Sequence, residues 1–141
     1  MPIKRRINCK LTIGKDCIIQ DDVISGHSEK DDVIIGNNAL IRSGTIIYSK
    51  VKIGNNFKTG HRVFIRENSK IGDNVLIGTN AVLDGNCKVG NNVNIQTDAC
   101  ITAEDNVFIG PPVVGTNDKH MITGAKLIGP IIKKGAMIRA N

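Results

Sequence analysis

The chain has 141 residues and a formal net charge of +6, long enough to bury one core of its own, so a single domain over residues 1–141 is the default. Three Phe, one Tyr and no Trp stand against many Ile, Val and Gly, so the interior has to be assembled from small or β-branched side chains around a narrow axis. The longest apolar runs, such as Val33 to Ile35 and Val113 to Val114, are too short to cross a bilayer, and no apolar h-region follows Lys4-Arg5-Arg6; the expectation is a soluble, cytoplasmic protein without membrane insertion.

Taken from the N-terminus, Ile7, Ile13 and Ile19 stand six apart, and four residues after each comes a second inward candidate, Leu11, Cys17 and Val23. A slip of four residues before Ile35 then predicts a protruding loop near 25–32. From there the period runs without a break through Ile35, Ile41, Ile47, Ile53, Thr59, Ile65, Ile71, Ile77, Leu83, Val89, Ile95 and Ile101, with Thr59 the one polar interruption. The companion series is Ala39, Thr45, Val51, Phe57, Val63, Ser69, Val75, Ala81, Cys87, Val93 and Ala99. A stronger echo recurs every third six: Ile35-Gly36-Asn37-Asn38, Ile53-Gly54-Asn55-Asn56, Ile71-Gly72-Asp73-Asn74 and Val89-Gly90-Asn91-Asn92.

A period of six fits neither an amphipathic helix nor a long alternating strand, so each six is a short strand plus a corner, and three corners close a triangle. Gly, Asn and Asp at the corner places tolerate the positive φ that a sharp turn demands. Coils stacked by parallel pairing at about 4.8 Å give an all-β parallel β-helix of about seven coils. Beyond Ile101 a slip of two residues predicts a bulged corner at Ala103 to Asn106, with Ile109-Gly110 restoring the pattern. A longer break near 115–126 fits no six, and the chain stops at Ile138-Arg139-Ala140-Asn141, inside a repeat, so an uncapped C-terminal end is expected. Loops that a solenoid does not need for stability are where its function is carried.

Cysteines 9, 17, 87 and 100 lack the C-x-x-C spacing of a zinc site or redox pair, and Cys17 and Cys87 fall on small inward places, so they are read as core fillers and no metal is expected. Lys and Arg are spread one or two per repeat rather than gathered with aromatics, which argues against a nucleic-acid surface.

The sixes, together with Thr59-Gly60-His61-Arg62-Val63-Phe64-Ile65-Arg66-Glu67-Asn68, Ile77-Gly78-Thr79-Asn80, and Val107-Phe108-Ile109-Gly110-Pro111 followed by Thr116-Asn117-Asp118-Lys119, make nearly the whole chain resemble the hexapeptide-repeat acyltransferases. Within these it is similar to the N-acetyltransferases of nucleotide-linked amino sugars used for surface polysaccharides. The resemblance implies a left-handed winding, an exception to the usual right-handed crossover, and a homotrimer with acetyl-CoA bound between neighbouring prisms. It also implies that Asn117 contacts the sugar amine and that Gly110 and Gly129 border the coenzyme channel. His120-Met121 stands where the family usually has Tyr-Pro.

Acetyl transfer from a thioester needs a neutral nucleophile, a route for its proton and donors for the developing oxyanion. Asn117, Asp118 and His120 are the catalytic candidates. Asn117 and Asp118 also suit a plain turn, and His120 suits a solvent-exposed loop or a general base toward a sugar hydroxyl. His61, Arg66, Glu67 and Asn94 are the substrate-binding candidates, with Arg66 suited to a diphosphate. Three readings follow: an amino-sugar N-acetyltransferase, a non-catalytic or truncated trimer, and a sugar O-acetyltransferase using His120. The His27, His61 and His120 spacing does not match a three-histidine interfacial zinc site.

Overall fold

The computed structural model describes residues 3–5, 10–26, 32–96, 102–103, 105–110 and 131–139. Its strands are two or three residues long, all pair in parallel, and fall into three sheets that form the walls of a solenoid. The first wall holds Ile3–Arg5, Val23–Ser25, Ile46–Ile47, Phe64–Ile65 and Val82–Leu83. The second holds Leu11–Ile13, Val33–Ile35, Lys52–Ile53, Lys70–Ile71, Lys88–Val89, Thr102–Ala103 and Ile131–Ile132. The third holds Ile18–Ile19, Leu40–Ile41, Lys58–Thr59, Leu76–Ile77, Asn94–Ile95, Phe108–Ile109 and Met137–Ile138.

The inward series is as expected from the period. Ile35, Ile41, Ile47, Ile65, Ile77, Leu83 and Ile95 are buried, as are Val51, Phe57, Val63, Val75 and Val93 from the companion series. Fully burying one such side chain stabilises by about 1.5–3 kcal/mol, and all of them belong to one continuous core cluster. Thr59 is buried in an isoleucine's place because its hydroxyl accepts the Arg42 N–H at 2.9 Å. Cys87 is buried, and Cys17 packs against the core with its thiol donating to Gly36 O at 3.2 Å, so both fill the small inward places.

The corner between the second and third walls is held by two columns of side chains. In one, Asn38 donates through Nδ2 to Asn56 Oδ1 at 3.2 Å, Asn56 to Asn74 at 2.8 Å, Asn74 to Asn92 at 3.0 Å and Asn92 to Asn106 at 3.0 Å. All five lie at positive φ, the conformation for which Asn is favoured over other side chains. In the other, Asn37, Asn55, Asp73, Asn91 and Asp105 each accept, through Oδ1, the backbone N–H of the rung below at 2.7–2.8 Å. Gly54, just before this corner, has no room for a side chain: a Cβ there would lie 2.7 Å from Gly72 O.

Two breaks in rhythm take a different form from the one the spacing predicts. Ser25 is buried on the first wall opposite Ile47, so the insertion near 25–32 starts only after it. At the other end, Ala103 stands opposite Val89 and Ile109 opposite Ile95, a rung spacing of 14 residues where the lower rungs have 18. The irregularity is therefore a rung four residues short, complete by Ala103, and not a slip of two residues that bulges the corner at Ala103 to Asn106. It also changes the coil count. Among the described residues about five turns are complete on all three walls, fewer than the seven expected, because the first wall carries five strands while the others carry seven. The break near 115–126 lies outside the described residues.

The Asn ladder makes two separable contributions, the tolerance of positive φ and the amide hydrogen bonds. Asn74→Gly removes only the second, at a cost of about 0.5–1.5 kcal/mol per net bond, whereas Asn74→Ala adds a left-handed penalty of about 1–2 kcal/mol. Urea unfolding should therefore rank wild type above Gly and Gly above Ala; equal midpoints for the two variants would contradict the role of positive φ.

Candidate functional site

The described candidates occupy different places on the prism. His61 sits on the corner between the third and first walls, exposed, its backbone N–H donating to Thr79 Oγ1 at 3.2 Å. Arg66 and Glu67 sit at the other end of the same first-wall strand, on the corner toward the second wall. Asn94 is half-buried on the third wall, where its Oδ1 accepts from Gln96 Nε2. Gly110 is buried after the strand Phe108–Ile109, and its N–H donates to Ile138 O at 2.7 Å, so that amide belongs to the ladder. Asn117, Asp118, His120 and Gly129 lie outside the described residues, as does His27.

Two polar clusters emerge. The first is built around Arg66, whose guanidinium forms a fork on Glu67, with Nε to Oε2 at 3.1 Å and Nη2 to Oε1 at 3.0 Å. Asp84 Oδ1 lies 3.8 Å from Nη1, and the Tyr48 ring centroid 5.3 Å from the guanidinium carbon. Tyr48, Arg66 and Asp84 come from successive rungs of one corner, so the arginine ties three coils together. Hydrogen bonding and charge from Glu67 raise the Arg66 pKa above its usual range, and Arg66 holds the Glu67 carboxyl below the usual carboxylate value. The fork on Glu67 uses Nε–H and one N–H of Nη2 and fixes the orientation of the Arg66 guanidinium.

The second cluster lines a shallow depression of about 430 Å³ on the His61 corner, formed by Asp22, Ser43, Gly44, His61, Arg62 and Thr79. Arg62 was not singled out by the sequence, although it lies in the same quoted run as His61. Its Nε donates to Asn80 Oδ1 at 3.0 Å. The signal for it is its position: Arg62 occupies a corner place that Asn, Asp or Gly fills in most other rungs.

The Glu67 shift carries a sign. A carboxyl whose folded pKa is depressed contributes stability above its ordinary pKa and loses that contribution as pH falls through the lowered folded value. Both side chains are more than two-fifths exposed, so the effect on global stability is small. A carboxyl-detected NMR titration should show Glu67 titrating below ordinary glutamates and moving up toward them in Arg66→Gln; an unmoved midpoint would contradict the pairing.

A family model described as bacterial transferase hexapeptide (six repeats) matches residues 68–103. Comparison with the curated proteins finds no match. Among solved structures the chain is similar to the acetyltransferase domain of PglB from Neisseria gonorrhoeae FA1090 in complex with acetyl coenzyme A. That likeness has 14% identity and a TM-score of 0.59, covering 81% of this chain and 54% of that one. Another structure of the same domain gives 16% identity, the same coverages and a TM-score of 0.49. The chain thus spans about half the length of the solved domains it matches. Together the repeat match and the first of these likenesses establish the fold as a hexapeptide-repeat β-solenoid of the kind on which an acetyltransferase domain is built.

Proposed function

We propose that this chain is the solenoid of an acetyltransferase that moves an acetyl group from acetyl-CoA to the amine of a nucleotide-linked amino sugar, acting in the cytoplasm as a left-handed homotrimer. The observation that carries the reading is the three-walled stack itself, whose likeness to an acetyltransferase domain extends over 81% of the chain. In the reaction the sugar nitrogen attacks the thioester carbonyl, a C–N bond forms, the C–S bond breaks, and the coenzyme leaves as thiol after taking up the amine's proton. Asn117 is assigned to orienting the amine and Asp118 to receiving its proton and passing it to the departing thiolate.

The trimer has a physical basis in the first wall. Its outward positions form an in-register column of Ile24, Ile46, Phe64 and Val82, all partly exposed. The outward column of the second wall instead runs from Ile34 into Lys52, Lys70 and Lys88, stacked in register and exposed. The third wall also exposes Ile18 and Leu76 but interrupts them with Lys58, so the run from Ile24 to Val82 is the uninterrupted apolar one, as expected of a face covered by another copy. Sedimentation at micromolar concentration should give a trimer, with Phe64→Glu shifted to monomer; a wild-type monomer would contradict the assembly.

Calorimetric titration with acetyl-CoA should show saturable binding at about one site per chain. In an acetylation assay with nucleotide-linked amino sugars, His120→Ala should stay near wild type while Asn117→Ala loses most activity. A fall of about 10²–10⁴ for His120→Ala would move the acceptor to a hydroxyl, the scale expected for loss of a general base. No binding up to millimolar acetyl-CoA would leave a non-catalytic trimer.

A further inference from the structure

The His61 corner combines three observations that the transferase reading does not use. First, among the described non-glycine residues at positive φ, Arg62 and Lys50 alone are neither Asn nor Asp; Arg62 has φ 53°. Along this edge the equivalent places in the neighbouring rungs are Asp22, Gly44 and Asn80, residues that adopt this conformation at lower cost. A bulky side chain held there is a local strain, and strain of this kind clusters at ligand sites.

Second, the arginine is clamped from both sides. Its stem lies over Gly44, where an added Cβ would stand 2.8 Å from Arg62 Cγ, and Gly44 itself has φ 76°. From the rung above, Asn80 Oδ1 accepts Nε–H at 3.0 Å. Among the described residues Asn80 is the side-chain partner of this guanidinium, so both terminal NH₂ groups keep their donors, whereas Arg66 has Nη2 on a carboxylate. Third, the depression beside it of about 430 Å³ is also lined by the exposed His61, by Ser43 and by Thr79, with Asp22 at one side.

A fixed guanidinium with two free NH₂ groups, set in a depression beside a histidine and a threonine, matches a phosphate-bearing ligand, because a planar fork binds phosphate oxygens in pairs. We propose that the Arg62 corner binds the diphosphate of a nucleotide-linked substrate, with Arg62 the anchoring residue and His61 beside it. This deepens the transferase reading by naming the residue that grips the substrate, and it stands on geometry independent of the acetyl donor.

The test uses inorganic pyrophosphate and uridine diphosphate as probes, titrated by calorimetry into wild type, Arg62→Asn, Arg62→Lys and Lys52→Gln. Asn is at home in the left-handed region, so Arg62→Asn should keep or raise the melting temperature while weakening both probes by about tenfold or more. Arg62→Lys should fall between, having charge without the fork, and Lys52→Gln, on the second wall, should bind as wild type. Unchanged affinity in the folded Arg62→Asn variant, or an equal loss in Lys52→Gln, would overturn the assignment. Acetyl-CoA titrated in parallel separates the readings. Probe binding that depends on Arg62 with no acetyl-CoA binding removes the transferase and keeps the site, while acetyl-CoA binding with probes indifferent to Arg62 does the reverse.

Discussion

Everything in this molecule depends on one constraint: each rung must lie directly on the next in parallel register, close enough for backbone amides at the corners to reach the carbonyls below. Arg62 N–H reaches Ser43 O at 3.0 Å and Asn80 N–H reaches His61 O at 2.9 Å by this rule. Register then decides the rest. It places like residues over like, giving an isoleucine core, an asparagine edge, an apolar outer strip and a lysine strip from a single short pattern. Stacked lysines at about 4.8 Å repel one another, by about 1 kcal/mol per unit pair at most in water, and are tolerated because they face solvent while the same strands bury Ile53, Ile71 and Val89.

The same constraint turns corners into sites. At an ordinary corner the left-handed residue is Asn, and its amide is consumed by the ladder. Where Arg62 replaces Asn, the ladder continues through Nε, leaving the remainder of the guanidinium directed away from that bond. A position whose repeat demands a small polar residue thus carries a large cationic one, above a glycine that leaves space for it.

How much of this was legible before the fold was known follows from what kind of signal each feature carries. The repeat is a pattern of residue type at fixed spacing, so core, corners and walls could be assigned residue by residue, including the inward Cys17 and Cys87, while Thr59 stood out as an interruption and its burial shows only in the structure. The short turn could not, because Ile101 continues the period of six and masks a deletion that shows only in the pairing of Ala103 with Val89. Arg66 and Glu67 were recognised as outward polar residues, but their mutual fork depends on side-chain geometry that adjacency in sequence does not reveal. Arg62 was visible as a residue out of place on its edge, a signal that emerges once the corner places of successive rungs are compared. The role of the Asn117 to His120 segment rests on resemblance, since it obeys no repeat.

The most direct test of the stacking register is detection of couplings across backbone hydrogen bonds by NMR on deuterated protein. The account predicts correlations from the Arg62 N–H to the Ser43 carbonyl, from Asn80 to His61, and, through the short turn, from Asn106 to Asn91. An Asn106 amide coupled to any other carbonyl, or Arg62 and Asn80 amides paired out of step with one another, would contradict the register from which the core, the corners and the Arg62 site are all derived.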